Sequence, residues 1–159
     1  VQAIETHAGV ALGIKWPNDI VSGTRKAGGV LTELHHGWAF VGVGLNVNAA
    51  PGIADGTPTV SIAELAGRMI DLTGLMIELA DAILCSLLAK PSARRAIHET
   101  WSKLSTLRGQ EVVVEGPDGR IYGRVKSLPE DGSLHLVLKD GTRRVFHNGE
   151  VSLRLEIAT

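Results

Sequence analysis

The sequence has one cysteine, Cys85, so no disulfide can form within the chain, and the small secreted scaffolds that depend on such staples are excluded. It has no apolar run long enough to cross a bilayer and no signal-peptide pattern, and a cytoplasmic setting is therefore expected. An excess of charge of either sign is also missing. Sixteen Lys and Arg stand against 17 Asp and Glu, which leaves no overall pull toward nucleic acid or an anionic membrane. Partners must then be recognised locally. No internal repeat, low-complexity tract or heptad run is present, which removes solenoids and coiled coils.

What is present suits a globular chain: 159 residues with 44% hydrophobic content can bury a real core in one medium domain or two small ones. Residues 1–7 read as the end of a helix closed by Gly9, and Leu12, Ile14 and Trp16 alternate as a short strand turned by Pro17 and Asn18. Residues 27–35 and 39–47 are apolar runs around Gly37, the pattern of a β-hairpin, and 48–59 is a loop. Ser61 and Glu64 have capping-box spacing. Leu72, Leu75, Met76, Leu79, Ile83, Leu87 and Leu88 recur at three- and four-residue steps, which predicts an amphipathic helix ending near Pro91. A third helix carries Ile97, Trp101 and Leu104, and the helices are expected to cover one face of the sheet.

From Leu107 the pattern changes to short strands at 112–115, 121–126, 134–138, 143–146 and 151–155, separated by glycine-containing turns at a spacing suited to a small barrel. Two domains are expected, 1–107 and 108–159.

The stretch IKWPNDIVSGTRKAGGVLTEL, residues 14–34, holds two cations, an amide, a carboxylate and bare backbone within one hairpin's length. Pro17, Asn18 and Asp19 taken singly are ordinary turn residues. Strand parity makes more of their surroundings. Gly29 and Leu31 point one way, and on the partner strand Gly42, Gly44, Asn46 and Asn48 share a parity. One face is thus stripped of side chains at successive positions and ends in carboxamides. Glycine inside a strand weakens it and marks a bulge or a close approach to backbone. A flat ligand lying on Gly42 and Gly44 would account for both glycines, and Asn46 could donate to and accept from a planar heterocycle. Lys26 projects toward this floor and Lys15 ends the neighbouring strand, so two cations converge where a carboxylate and a phosphate could be brought together.

With KWPNDI at 15–20, RKAGGVLTEL at 25–34 and VGVGLNVN at 41–48, the chain resembles the biotin protein ligases, also called biotin-[acetyl-CoA-carboxylase] ligases; GEVSLR at 149–154 looks like the end of their small C-terminal SH3-like cap. The resemblance implies an α+β fold: an incomplete class II synthetase-like sheet of the biotin and lipoate ligases, with helices on one face, followed by a small all-β SH3-like barrel. It implies ATP-dependent formation of biotinyl-5'-AMP and transfer of biotin to a lysine of a biotin carboxyl carrier protein. Lys26 is similar to the family lysine that touches both the biotin carboxylate and the α-phosphate, and Lys15 to a lysine facing the phosphates. Asn18 and Asp19 correspond to positions at the nucleotide phosphates and Mg2+, with Asp19 the metal ligand. Gly29, Leu31, Gly42 and Gly44 match biotin-contacting positions, and Asn46 the adenine-binding asparagine. A homodimer through the sheet edge and residues 22–26 is a further implication.

The family's Gly/Arg-rich loop and its Ser-Thr-Asn-like segment have no counterpart in the chain and are expected to precede Val1; residues 22–26 fit the family's loop between the two lysines. The expectation is a chain that keeps the phosphate and adenine side of the site without the biotin lid. Two rival readings stand beside it: a lipoate-protein ligase relative, and a remnant that binds biotinyl-AMP or a carrier without turnover. His35 and His36, neighbours on a strand, cannot chelate one ion together. Cys85 reads as a small buried thiol, and Arg94, Arg95 and His98 as a solvated helix face. Trp16, Trp38 and Trp101 read as core. Lys139, Arg143 and Arg144 make a basic patch too small to imply nucleic acid.

Overall fold

The computed structural model describes residues 1–54, 56–116, 119–147 and 152–155. Helix α1 (Gln2–Ala8) closes on Gly9 and leads to β1 (Gly13–Lys15), β2 (Asp19–Ser22), β3 (Arg25–His35) and β4 (Trp38–Leu45). After the short pair β5 (Ile53–Ala54) and β6 (Thr57–Pro58) come α2 (Ile62–Ala66), α3 (Leu72–Leu87) and α4 (Pro91–Leu104). The chain ends in β7 (Glu111–Gly116), β8 (Gly119–Ser127), β9 (Leu134–Val137), β10 (Arg143–Phe146) and β11 (Ser152–Leu155).

The first four strands form one antiparallel sheet in the order β1-β2-β3-β4. Strand β2 was not anticipated. Residues 22–26, expected as a loop, are the facing ends of β2 and β3 around a two-residue turn, which Gly23 permits by adopting φ 60°. Ile4 and Ala8 of α1, with Leu12, Ile20, Ala27, Val60, Ile62, Ile70 and Leu75, bury one face of this sheet. Ser61 caps α2 by accepting from the Glu64 N–H at 3.1 Å, while the Glu64 carboxylate turns to Arg25 on β3 instead of closing the reciprocal box.

Helical cover is narrower than the periodicity suggests. Only the first turns of α3 reach the core, through Leu75; Leu72, Met76, Ile77, Leu84, Leu87 and Leu88 are exposed, as is Cys85. The reason is that α3 packs on α1, a two-turn helix too short to shield a sixteen-residue neighbour. Helix α4 instead turns toward the last strands: Trp101 packs there, and His98, expected in solvent, meets the Leu128 carbonyl at 2.9 Å.

Those last strands form a five-stranded antiparallel sheet ordered β10-β9-β8-β7-β11, and no pairing closes its two outer strands among the described residues. Its core gathers Leu107, Val112, Val114, Val125, Leu134, Leu136 and Phe146, and it takes in Trp16 from the far end of the sequence, only 1% exposed. Trp38, by contrast, is 73% exposed on the β3–β4 hairpin. Residues 149–151 of the GEVSLR stretch lie outside the described residues. Among the described residues no helix is long and apolar enough to cross a membrane.

Candidate functional site

The site begins with the pairing of β2, β3 and β4. Lys15 faces Asp19, Asp19 faces Gly29, and Gly29 faces Gly44, a single row across four strands whose side chains share a face. Leu31 faces Gly42 one step along. The face opposite the helices is therefore bare at Gly29, Gly42 and Gly44. A Cβ on Gly44 would meet no heavy atom within 4 Å, and one on Gly42 only the Leu31 carbonyl oxygen at 3.9 Å. Gly28 is different in kind: a Cβ there would collide with the Gly44 carbonyl oxygen, so its lack of a side chain serves the sheet itself.

Lys26 and Gly29 lie three residues apart and would face opposite ways on a regular strand. A register shift resolves this: Ile20 pairs with Gly28 but Val21 with Lys26, leaving Ala27 as the extra residue of a bulge. Ala27 turns into the core beside Ile20. Lys26 turns to the open face, where its Nζ sits 2.5 Å from Asp19 Oδ1 and its Cε 3.9 Å from where a Gly29 Cβ would stand. The pair is partly exposed, so it orients the ammonium more than it stabilises the fold. An ammonium carries three N–H donors, and Asp19 engages one side of it.

A cavity of ≈ 580 Å³ lies over this face, within the size range of small-molecule sites. Asn18, Asp19, Lys26, Gly29, Leu31, Gly42, Gly44 and Asn46 all line it, so the structure brings together every expected site residue except Lys15. Lys15 occupies the same face at the end of the row but is not part of the lining. The Asn46 amide nitrogen donates to the carbonyls of Lys26 and Val60 at 3.3 and 3.4 Å, which fixes the plane of the carboxamide. Asn48 does not join it. The strand ends at Leu45, parity lapses, and the Asn48 side chain binds Ile70 at both ends, accepting from N–H at 2.9 Å and donating to the carbonyl at 3.1 Å.

The sequence reading missed three further residues lining the cleft, Pro51, Ala54 and Thr59. Their only sequence signal was a Pro/Gly-rich loop leaving the floor strand, which does not tell which residues return to the cleft. Among the described residues no three His, Cys, Asp or Glu side chains gather around a metal position. The Asp19 carboxylate and the Asn18 amide at the cleft fit a magnesium ion carried mainly by the phosphates of a ligand, which needs few protein oxygens.

An α+β unit with a bare, lysine-edged floor, followed by a small all-β sheet, is an architecture shared with known proteins. Residues 108–154 match the family described as Biotin protein ligase C terminal domain. The chain is 28% identical over 160 residues to the bifunctional ligase/repressor BirA of Bacillus subtilis, covering 92% of this chain and 48% of that one. It is 29% identical over 143 residues to the biotin-[acetyl-CoA-carboxylase] ligase of Mycobacterium tuberculosis, covering 89% of this chain and 53% of that one. The crystal structure of biotin protein ligase from Aquifex aeolicus superposes with a TM-score of 0.83 at 25% identity, over 98% of this chain and 70% of that chain. A structure of the same Aquifex protein in complex with biotin and ATP gives 0.78 at 24% identity, over 98% and 67%. The chain is thus similar to biotin protein ligases over most of its length, and its residues 108–154 to their C-terminal domain. It spans about half the length of the curated relatives it matches.

Proposed function

We propose that the cleft is the adenylate-forming site of a biotin protein ligase, which joins biotin and ATP to biotinyl-5'-AMP and passes the biotinyl group to a lysine of a biotin carboxyl carrier protein. The observation that carries this reading is the Lys26 ammonium, held by Asp19 at the rim of a floor made of Gly29, Gly42 and Gly44. A flat bicyclic ring can lie on bare backbone, and its carboxylate can reach the remaining donors of Lys26. As a carboxylate oxygen bonds to the α-phosphorus and the bond to the departing pyrophosphate breaks, negative charge grows on the phosphoryl oxygens. A fixed ammonium stabilises that charge without reorganising.

Lys15, on the same face, is assigned to the phosphates, and Asn18 and Asp19 to the phosphate-borne magnesium, which supplies neutralisation of phosphate charge when bound. Leu31 covers the apolar side of biotin. Asn46, its amide nitrogen already held by two carbonyls, offers its oxygen to the amino edge of adenine. We also assign residues 1–107 to the catalytic domain and 108–159 to the C-terminal one, with the protein acting in the cytoplasm.

Biotin-dependent exchange of labelled pyrophosphate into ATP tests the reading. Exchange that needs biotin, is not supported by lipoate, and falls at least ~100-fold in Lys26→Ala is the expected result. Exchange supported by lipoate in place of biotin, or unchanged in Lys26→Ala, would overturn it. A second reading is adenylate binding without turnover. A folded chain that binds biotinyl-5'-AMP but exchanges nothing would select it.

A further inference from the structure

Thr59 presents a side chain that the fold does not explain. It forms part of the cleft wall and is 8% exposed, yet its Oγ1 is buried and has no hydrogen-bond partner among the described residues. The backbone around it is fixed. Its N–H donates to the Gly52 carbonyl at 2.9 Å, it bridges to Lys26, and the next residue, Val60, donates to the Lys26 carbonyl at 3.0 Å. The main chain therefore cannot swing the hydroxyl out to water. A buried hydroxyl without a partner is destabilising, and valine, as at the adjoining Val60, would fill the same space without that cost. Rotation about χ1 moves Oγ1 between staggered positions without disturbing the backbone. That is the one freedom the site leaves it.

We propose that the Thr59 hydroxyl turns into the cleft to hydrogen-bond the base of the bound nucleotide, and so acts as a binding residue of the site; this rests on the adenylate reading above. Position assigns it to the base and not to the phosphates. The Lys26–Asp19 ion pair marks the charged end of the cleft, whereas Thr59 is tied through Lys26 and Val60 to the carbonyls that hold the Asn46 amide, and it shares its wall with apolar Pro51 and Ala54. An apolar wall with a few polar groups suits a planar heterocycle whose edge carries donors and acceptors. A hydroxyl can serve either, since it donates once and accepts twice.

The test is equilibrium binding of ATP and of inorganic tripolyphosphate to the whole chain, with Thr59→Val and Thr59→Ser beside wild type and the melting temperature of each recorded. Thr59→Val is expected to bind ATP about tenfold more weakly, to bind tripolyphosphate as wild type does, and to melt no lower than wild type. Thr59→Ser, which keeps the hydroxyl, should bind ATP within about threefold of wild type. Unchanged ATP affinity in Thr59→Val would overturn the proposal, as would an equal loss for tripolyphosphate, or a lower melting temperature that Thr59→Ser restores. Wild-type chain that is folded but takes up no ATP would overturn the nucleotide reading itself, and this contact with it.

Discussion

Two glycines sixteen positions apart carry opposite consequences. Gly28→Ala drives a Cβ into the Gly44 carbonyl oxygen and against Leu45, backbone that cannot step aside, and is expected to cost about 3 kcal/mol, a fall in melting temperature of roughly 10 °C. Gly44→Ala places its Cβ in open space and should leave stability within about 0.5 kcal/mol of wild type. The same methyl group stands on the proposed ligand floor, so binding of biotinyl-5'-AMP should weaken by at least about tenfold. Thermal melts and a binding titration on the two variants check both signs. Parity alone located Gly29, Gly42 and Gly44 in the sequence. It also set Gly28 on the other face, but not why a side chain is missing there, because that depends on how closely β3 and β4 approach, which no residue pattern encodes.

The bulge in β3 decides which way the principal lysine faces. Sequence spacing put Lys26 near the floor, but on a regular strand Lys26 and Gly29 would face opposite sides; the inserted Ala27 corrects this, and the Ala-Gly-Gly run allowed a bulge without placing it. Asn48 shows the reverse failure. Its parity with Gly42 and Gly44 pointed it at the ligand, but the strand ends first, and its two hydrogen bonds clamp Ile70 instead. Asn48→Ala leaves the buried Ile70 groups without those partners and is expected to destabilise the chain by about 1–3 kcal/mol, read from a denaturant titration, with ATP affinity of the folded fraction unchanged. The stripe on α3 was legible as helix and illegible as exposure, since periodicity reports a face and not what covers it.

Across the whole molecule, Trp16 is the joint. Two residues before Asn18 it leaves the first sheet, enters the core of the second beside Leu107, Val114 and Leu136, and donates its indole N–H to the Gly132 carbonyl at 2.8 Å. The sequence marked Trp16 as core but not whose core, because the contact spans 116 residues. Trp16→Ala is expected to cost about 3–5 kcal/mol and to loosen the Asn18–Asp19 corner with it. The turn that presents Gly132 is itself held by Asp131, which accepts from the Ser133 hydroxyl and N–H at 2.6 and 2.9 Å; these bonds hold its carboxyl below the ordinary value near 3.8. A depressed carboxylate contributes fully above its unfolded value and loses that contribution as pH falls through the lower folded one. Asp131→Asn should therefore melt lower than wild type near neutrality, and the difference should shrink as pH falls below about 4, as melts across pH would report.

The central claim is that a nucleotide and biotin lie on the glycine floor beside Lys26, and backbone amide NMR shifts of the labelled chain, titrated with biotin and ATP, test it most directly. Shifts concentrated at Gly29, Gly42, Gly44, Asn46 and Thr59, with Gly123 and Leu136 of the last sheet unmoved, are the result expected. Saturable shifts that leave those glycines unmoved and gather elsewhere on the chain would contradict it.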